Sequence, residues 1–163
     1  MSRSLRKIAR GVAFLGLAAL SAAAHAQLDV ANTIKKVHVE VTADGTVQRK
    51  LVAADRIIPG DELRYQLTFT NKGEAAIDAG TIVITDHVPE HTVYVDGTAS
   101  GSDAQILFSL DGERYASPEQ LLVERDGEQM LAKAEHYTAV RWVYAPALLP
   151  GESAEVAFNV RLQ

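Results

Sequence analysis

Histidine has the widest chemistry of any side chain here, and the chain has five: His25, His38, His87, His91 and His136. His87 and His91 stand four apart, the spacing that puts two metal ligands on one face of a helix. Pro89 lies between them, in a segment flanked by strand patterns, so a helix is not expected there and both read as solvated loop histidines. Asp86, Glu90, Asp96 and Asp103 are the carboxylates to consider for calcium, which exported β-domains bind through loop oxygens. Their spacing is not the Asp-x-Asp-x-Asp-Gly kind. Hydrolysis would need an activated nucleophile or two carboxylates at a set separation; no Gly-x-Ser-x-Gly occurs, and isolated turn aspartates serve turn geometry. Gly97 to Gly101 lies between strand patterns, with no helix behind it to lend a dipole to a phosphate. The sequence therefore assigns no catalytic, cofactor-binding or metal residue, and an enzyme is not expected.

The address is more legible than the chemistry. Arg3, Arg6, Lys7 and Arg10 form a basic start without acidic residues. An apolar run, Gly11 to Ala24, follows, and Ala24-His25-Ala26 offers small residues at the −3 and −1 positions. This is the pattern of a cleaved secretory signal peptide over 1–26. Its apolar core is shorter than the roughly 20 residues of a membrane span. Removing 26 of 163 residues leaves 137, ample for one domain. The leader carries four of the 16 basic residues and none of the 21 acidic ones, so the remainder stands at 12 against 21, a charge of −9. That balance offers no footprint for nucleic acid or anionic lipid. Zero cysteines exclude disulfides, thiolate metal sites and thiol catalysis. The expected location is periplasmic or secreted, with no stable membrane insertion after signal cleavage.

The elements that would position any site are short strands. Residues 27–33 read as a flexible lead-in. Val37, Val39 and Val41 alternate with polar residues, Asp44-Gly45 is a hairpin turn, and Val47 to Val52 pairs back. Pro59-Gly60 turns the chain into the clearest strand, where Leu63, Tyr65, Leu67 and Phe69 alternate with Arg64, Gln66, Thr68 and Thr70. Thr81 to Thr85 is β-branched throughout and reads as a strand well covered by its neighbours. Thr92 to Val95, Gln105 to Leu110, Leu121 to Val123, Ala139 to Tyr144 and Glu155 to Leu162 complete the set, with Asp111-Gly112 as a second hairpin turn. Glu124 to Glu135 fits either a helical turn or a hairpin. Trp142, in phase with Val140 and Tyr144, reads as core filling. About seven to nine short strands with turn signals every 8–12 residues argue an all-β antiparallel β-sandwich over 34–163.

One resemblance bears on this pattern. Pro59-Gly60-Asp61, Tyr65, Thr70-Asn71-Lys72-Gly73 and Thr85-Asp86-His87-Val88-Pro89 resemble, in order and spacing, the bacterial exported conserved-repeat family "domain of unknown function 11". Ser109-Leu110-Asp111-Gly112, Arg141-Trp142 and Leu149-Pro150-Gly151-Glu152 are similar to single-copy relatives of that family. The resemblance, over about Ile34 to Gln163, implies an immunoglobulin-like sandwich with a structural or surface role and no catalytic residues to carry over.

The function expected is a non-enzymatic structural or protein-interaction module of the bacterial cell envelope, with a glycan- or calcium-binding module as the alternative. Recognition would come from the loops Asp86 to Glu90 and Asp96 to Asp103, or from an edge strand. Val37 to Val41 and Glu155 to Leu162 are candidate edges or pairing strands; in-domain pairing is the role expected of them, and as edges they would admit another envelope protein or a second copy.

Overall fold

The computed structural model describes residues 27–163, and the expected signal peptide at 1–26 lies outside them. Alternation of apolar and polar residues makes strands of nearly everything described: β1 (Leu28–Val41), β2 (Val47–Ala53), β3 (Glu62–Asn71), β4 (Ile82–His87), β5 (Thr92–Tyr94), β6 (Ser100–Gly101), β7 (Ala104–Ser109), β8 (Leu122–Arg125), β9 (Glu128–Leu131), β10 (Ala139–Tyr144) and β11 (Ser153–Leu162). Two single 3₁₀ turns, Pro118–Gln120 and Ala134–His136, are the only helical elements among the described residues.

The strands form a large sheet ordered β2-β1-β3-β11-β5, with β6 also on β11, a second sheet ordered β4-β10-β7, and the small ribbon β8-β9. All pairings are antiparallel. The inward rows of β3 and β11 stand opposite each other, with Leu63 against Val160, Tyr65 against Phe158 and Leu67 against Val156. They meet the inward row of β10: the Trp142 and Phe158 rings lie 5.9 Å apart, and Phe69 and Tyr144 lie 5.3 Å apart, edge to face. Trp142, Phe69 and Phe158 are fully buried, which places the core between these two sheets. At its β5–β7 end the core is closed by Tyr94, Phe108 and Tyr137, with Phe108 stacked on Tyr137 at 4.5 Å.

The two Pro-Gly-acid turns are one device used twice. In each, the glycine takes a positive φ (Gly60 92°, Gly151 81°), which glycine alone adopts cheaply. The acid accepts from the amide three residues back: Ile58 to Asp61 at 2.9 Å, Leu149 to Glu152 at 2.9 Å. Gly60 N–H then donates to the Leu162 carbonyl, and Gly151 N–H to the Asn71 carbonyl, both at 2.8 Å. Each turn thus starts one central strand and anchors the end of its neighbour.

Asn71 fastens the far side of that clasp. It is fully buried, and its amide donates to the carbonyls of Ala75 (2.7 Å) and Leu148 (2.9 Å) while accepting from Gly73 N–H (3.0 Å).

Two sequence expectations change, and two open alternatives are settled. Residues 28–33, read as a flexible lead-in, form the first half of β1, where Leu28 to Thr33 stand opposite Asn71 to Gln66. Their alternation is broken by Ala31 and Asn32, so the neighbour, not the pattern, makes them a strand. Thr81 to Thr85 is not covered on both sides: β4 is the last strand of its sheet, and Val83 is half exposed. Glu155 to Leu162 takes the expected in-domain role and is no edge, because β11 lies between β3 and β5. Glu124 to Glu135 resolves into both options, the β8-β9 hairpin followed by a 3₁₀ turn.

Candidate interaction site

β1 is longer than its two partnerships. Residues 28–36 pair with β3, and residues 35–41 pair with β2. From Val37 onward the β1-β2 hairpin therefore runs past the start of β3 as a two-stranded arm. Its turn is held by Thr42 N–H on the Thr46 carbonyl (2.9 Å) and by Thr46 N–H on the Asp44 carboxylate (3.1 Å), with Gly45 at φ 84°. Strand alternation puts Val37, Val39 and Val41 of β1 on one face with Val47, Arg49 and Leu51 of β2. Val37 is buried, but Val39, Val41, Val47 and Leu51 are 44–69% exposed. A two-stranded ribbon on its own is marginal in water, and an apolar face is the part that needs cover.

The arm's root is fixed by charge. Glu62, 8% exposed, accepts from Arg49, from Asn159 (2.6 Å) and from Arg161 (3.4 Å). Burial alone would raise its pKa, but these donors outweigh it, and the carboxyl sits below its ordinary value. Lys36 adds a 2.6 Å ion pair to Asp61 in the first Pro-Gly-acid turn.

A second unpartnered feature lies on the inner side of the same sheet. The small sheet places β7 beside β5 (Phe108 on Tyr94, 5.2 Å) and β10 beneath β11 and β3. β4 follows, near β3, where its Asp86 helps raise the Tyr65 pKa behind the larger effect of burial. The small sheet ends there, and the large one continues through β1 and β2. β1 thus overhangs β4, and its inward side chains Leu28, Val30 and Ile34 remain 36–47% exposed. The outer edge of β4 has no strand paired to it among the described residues. Overhang and free edge bound a notch beside the exposed side chains of Leu28, Val30 and Ile34. Asp86 points into this side of the sheet in line with Ile84 and Ile82; one oxygen accepts from His87 N–H at 2.9 Å, while the other is buried with no partner among the described residues. Burial, the main cause, raises its pKa.

The other residues weighed for chemistry do not converge. His87 ends β4, and His91 lies beyond Pro89 with φ 61°. His38 sits on the polar face of the arm, 3.7 Å from Glu40, and His136 accepts from Lys133 N–H at 3.0 Å. Asp86 lies in β4 while Glu90, Asp96 and Asp103 fall at separate turns, and no group of three or more acidic or histidine side chains suited to a metal occurs among the described residues. Asp96 instead edges a cleft of about 600 Å³ with Lys133, Glu135 and Arg161, over a floor of Tyr94 and Tyr137.

Of the two strands weighed as edges in the sequence, Val37 to Val41 pairs only with β2 and so has an unpaired side in the arm, and β2 and β4 each end a sheet beside it. Sequence reasoning missed β4 because uninterrupted β-branched residues usually mark a covered strand. The signal that separates the two is a partner count, which no local pattern contains.

Comparison with protein-family models, with curated proteins and with solved structures returns no match to this chain.

Proposed function

We propose that the chain is a non-enzymatic protein-interaction module of the bacterial cell envelope, an immunoglobulin-like sandwich exported to the periplasm or beyond, which binds through its β1-β2 arm. One observation carries this reading. Of the 15 large apolar side chains exposed among the described residues, ten (Leu28, Val30, Ile34, Val39, Val41, Val47, Leu51, Val52, Ile57 and Ile58) fall between residues 28 and 58. Scattered exposed apolar residues are ordinary, whereas a concentration in one corner marks a contact surface. The basic-then-apolar leader supports export. The resemblance to the "domain of unknown function 11" family supports the immunoglobulin-like topology and a structural role.

A small-ligand role has one observation in its favour: the cleft of about 600 Å³ rimmed by Asp96, Lys133, Glu135 and Arg161, of a size that suits a glycan. The test separates the two readings. A tagged chain carrying Val41→Glu and Val47→Glu should keep the wild-type urea midpoint, since both side chains are exposed. In intact cells it should lose the crosslinked adducts that the wild type forms. Adducts that survive both substitutions, with a melting temperature raised by a polysaccharide, would overturn the arm in favour of the cleft.

A further inference from the structure

The interaction reading leaves open what the arm binds, and the notch narrows it. An occupant that pairs with β4 must be a strand, because the β4 edge offers unpaired backbone groups. Its inward side chains must be apolar, to cover Leu28, Val30 and Ile34. It must also bring a hydrogen-bond donor, best a cation, to the unpartnered Asp86 oxygen.

This chain contains a strand of that description. β2 carries Val47, Arg49 and Leu51 on one exposed face. Its outer edge has no partner among the described residues. Laid antiparallel on β4 with Arg49 opposite Asp86, it sets Leu51 opposite Ile84 and Ala53 opposite Ile82, all facing the core. The register is consistent, because residues directly opposite in a ladder share a face. The face turned away then sets Val52 opposite Val83, two side chains that are now exposed.

We propose that the β1-β2 arm of one copy docks as an added strand in the notch of a second copy, with β2 on β4 and Arg49 on Asp86. This rests on the arm being the interaction surface.

Charge complementarity supports a head-to-tail contact. Residues 27–56 hold five basic side chains (Lys35, Lys36, Arg49, Lys50, Arg56) against four acidic ones, whereas residues 57–163 hold seven against 17. The arm itself, residues 37–53, balances Arg49 and Lys50 against Glu40 and Asp44, but Arg49 is the one charge on its apolar face, and the body that face would meet is acidic. Symmetric alternatives are poorer. Pairing β2 with its own copy along its full length sets Lys50 opposite Lys50, a like-charge contact. Pairing β4 with its own copy brings two acidic bodies together and supplies no cation to Asp86. Nor is the arm's root lost on docking, because Glu62 keeps Asn159 and Arg161 when Arg49 turns away. A contact between two different surfaces leaves one arm and one notch free at the ends, so copies add in series unless the ring closes.

Because the chain has no cysteine, single engineered cysteines report this contact cleanly. Protein is made from the full coding sequence as Val52→Cys and as Val83→Cys, and the two are mixed under diamide. The expected result is a mixed disulfide dimer. Each variant alone should give little, and the double variant should give a ladder. Arg49→Glu in the Val52→Cys chain should cut the mixed product at least tenfold, while Lys50→Glu, with the same charge change on the opposite face, should change it less than twofold. Urea midpoints check that each variant folds. Dimer formed by Val83→Cys alone would overturn the proposal in favour of β4 pairing with itself. Mixed product at background, with wild type monomeric by sedimentation at all concentrations, would also overturn it. If the arm then still crosslinks in cells to a different envelope protein, the interaction reading survives without the second copy; if it crosslinks to nothing, both fail.

Discussion

Replacing Asn71 tests the account of the fold at its most specific residue. The side chain has no solvent exposure and three hydrogen bonds, two donated and one accepted. Asn71→Ala removes all three. The Leu148 carbonyl keeps the Ile77 N–H at 3.0 Å, so the groups left without partners are the Ala75 carbonyl and the Gly73 N–H. At about 1 kcal/mol net per bond, with about 1–3 kcal/mol for a buried orphan, the cost is roughly 3–5 kcal/mol. Asn71→Asp has the same shape but is worse. It keeps the acceptor for Gly73 and turns the donor into an oxygen facing two carbonyls, with a charge that burial opposes. The expected order of stability is Asn, then Ala, then Asp. Urea unfolding followed by the fluorescence of Trp142, the only tryptophan, measures it. An aspartate variant within 1 kcal/mol of wild type would refute the reasoning, because it would mean the amide donors are not needed where the structure puts them.

Further outcomes follow from other sites. Trp142→Ala should cost about 3–5 kcal/mol as a large buried deletion, and Trp142→Phe distinctly less, since the indole Nε1 has no acceptor among the described residues to lose; thermal unfolding compares them. Gly101→Ala would set a Cβ 2.8 Å from Val156 Cγ1 and 3.2 Å from Trp142 Cδ1, so chemical denaturation should show a loss of about 1–3 kcal/mol. Glu62 and Asp86 should respond to acid with opposite signs. The folded pKa of Glu62 lies below its unfolded value of about 4.3, so its contribution is full above that pH and is lost as pH falls through the folded value; a Glu62→Gln chain should lack that loss in a pH series of melting temperatures. The folded pKa of Asp86 lies above its unfolded value of about 3.9, so its ionisation costs stability as pH rises through that window; in dilute protein, Asp86→Asn should melt higher at pH 7, with the gain gone below about pH 4.

What the sequence made legible is local. The alternation at Leu63 to Phe69 and Val156 to Val160 named two central strands and their buried faces, and the Gly at Asp44-Gly45 and Pro59-Gly60 marked turns with positive φ. The echo between Ile58-Pro59-Gly60-Asp61 and Leu149-Pro150-Gly151-Glu152 was visible too, but its meaning depends on β3 and β11 being neighbours. The same holds for the surface proposed as functional. Val39, Val41 and Val47 have the pattern of a half-buried strand; they are exposed because the register sets them in the outer row of the large sheet, with Lys35 and Arg64, and not in the core-facing row of Leu63 and Tyr65. Ile82, Val83 and Ile84 have the pattern of a covered strand; β4 is an edge because the small sheet stops there. Which elements lack neighbours is a property of the assembled sheets, and it is what sets the candidate site.

The central claim, that the arm is a contact surface, is tested most directly by placing a photoreactive side chain at Val47 in the full-length protein, with a control at Gln66 on the polar outer face of β3, and illuminating intact cells. The account predicts a discrete crosslinked product from position 47 and none from position 66. Equal products from both positions, or none from position 47 while the protein is folded and exported, would contradict it.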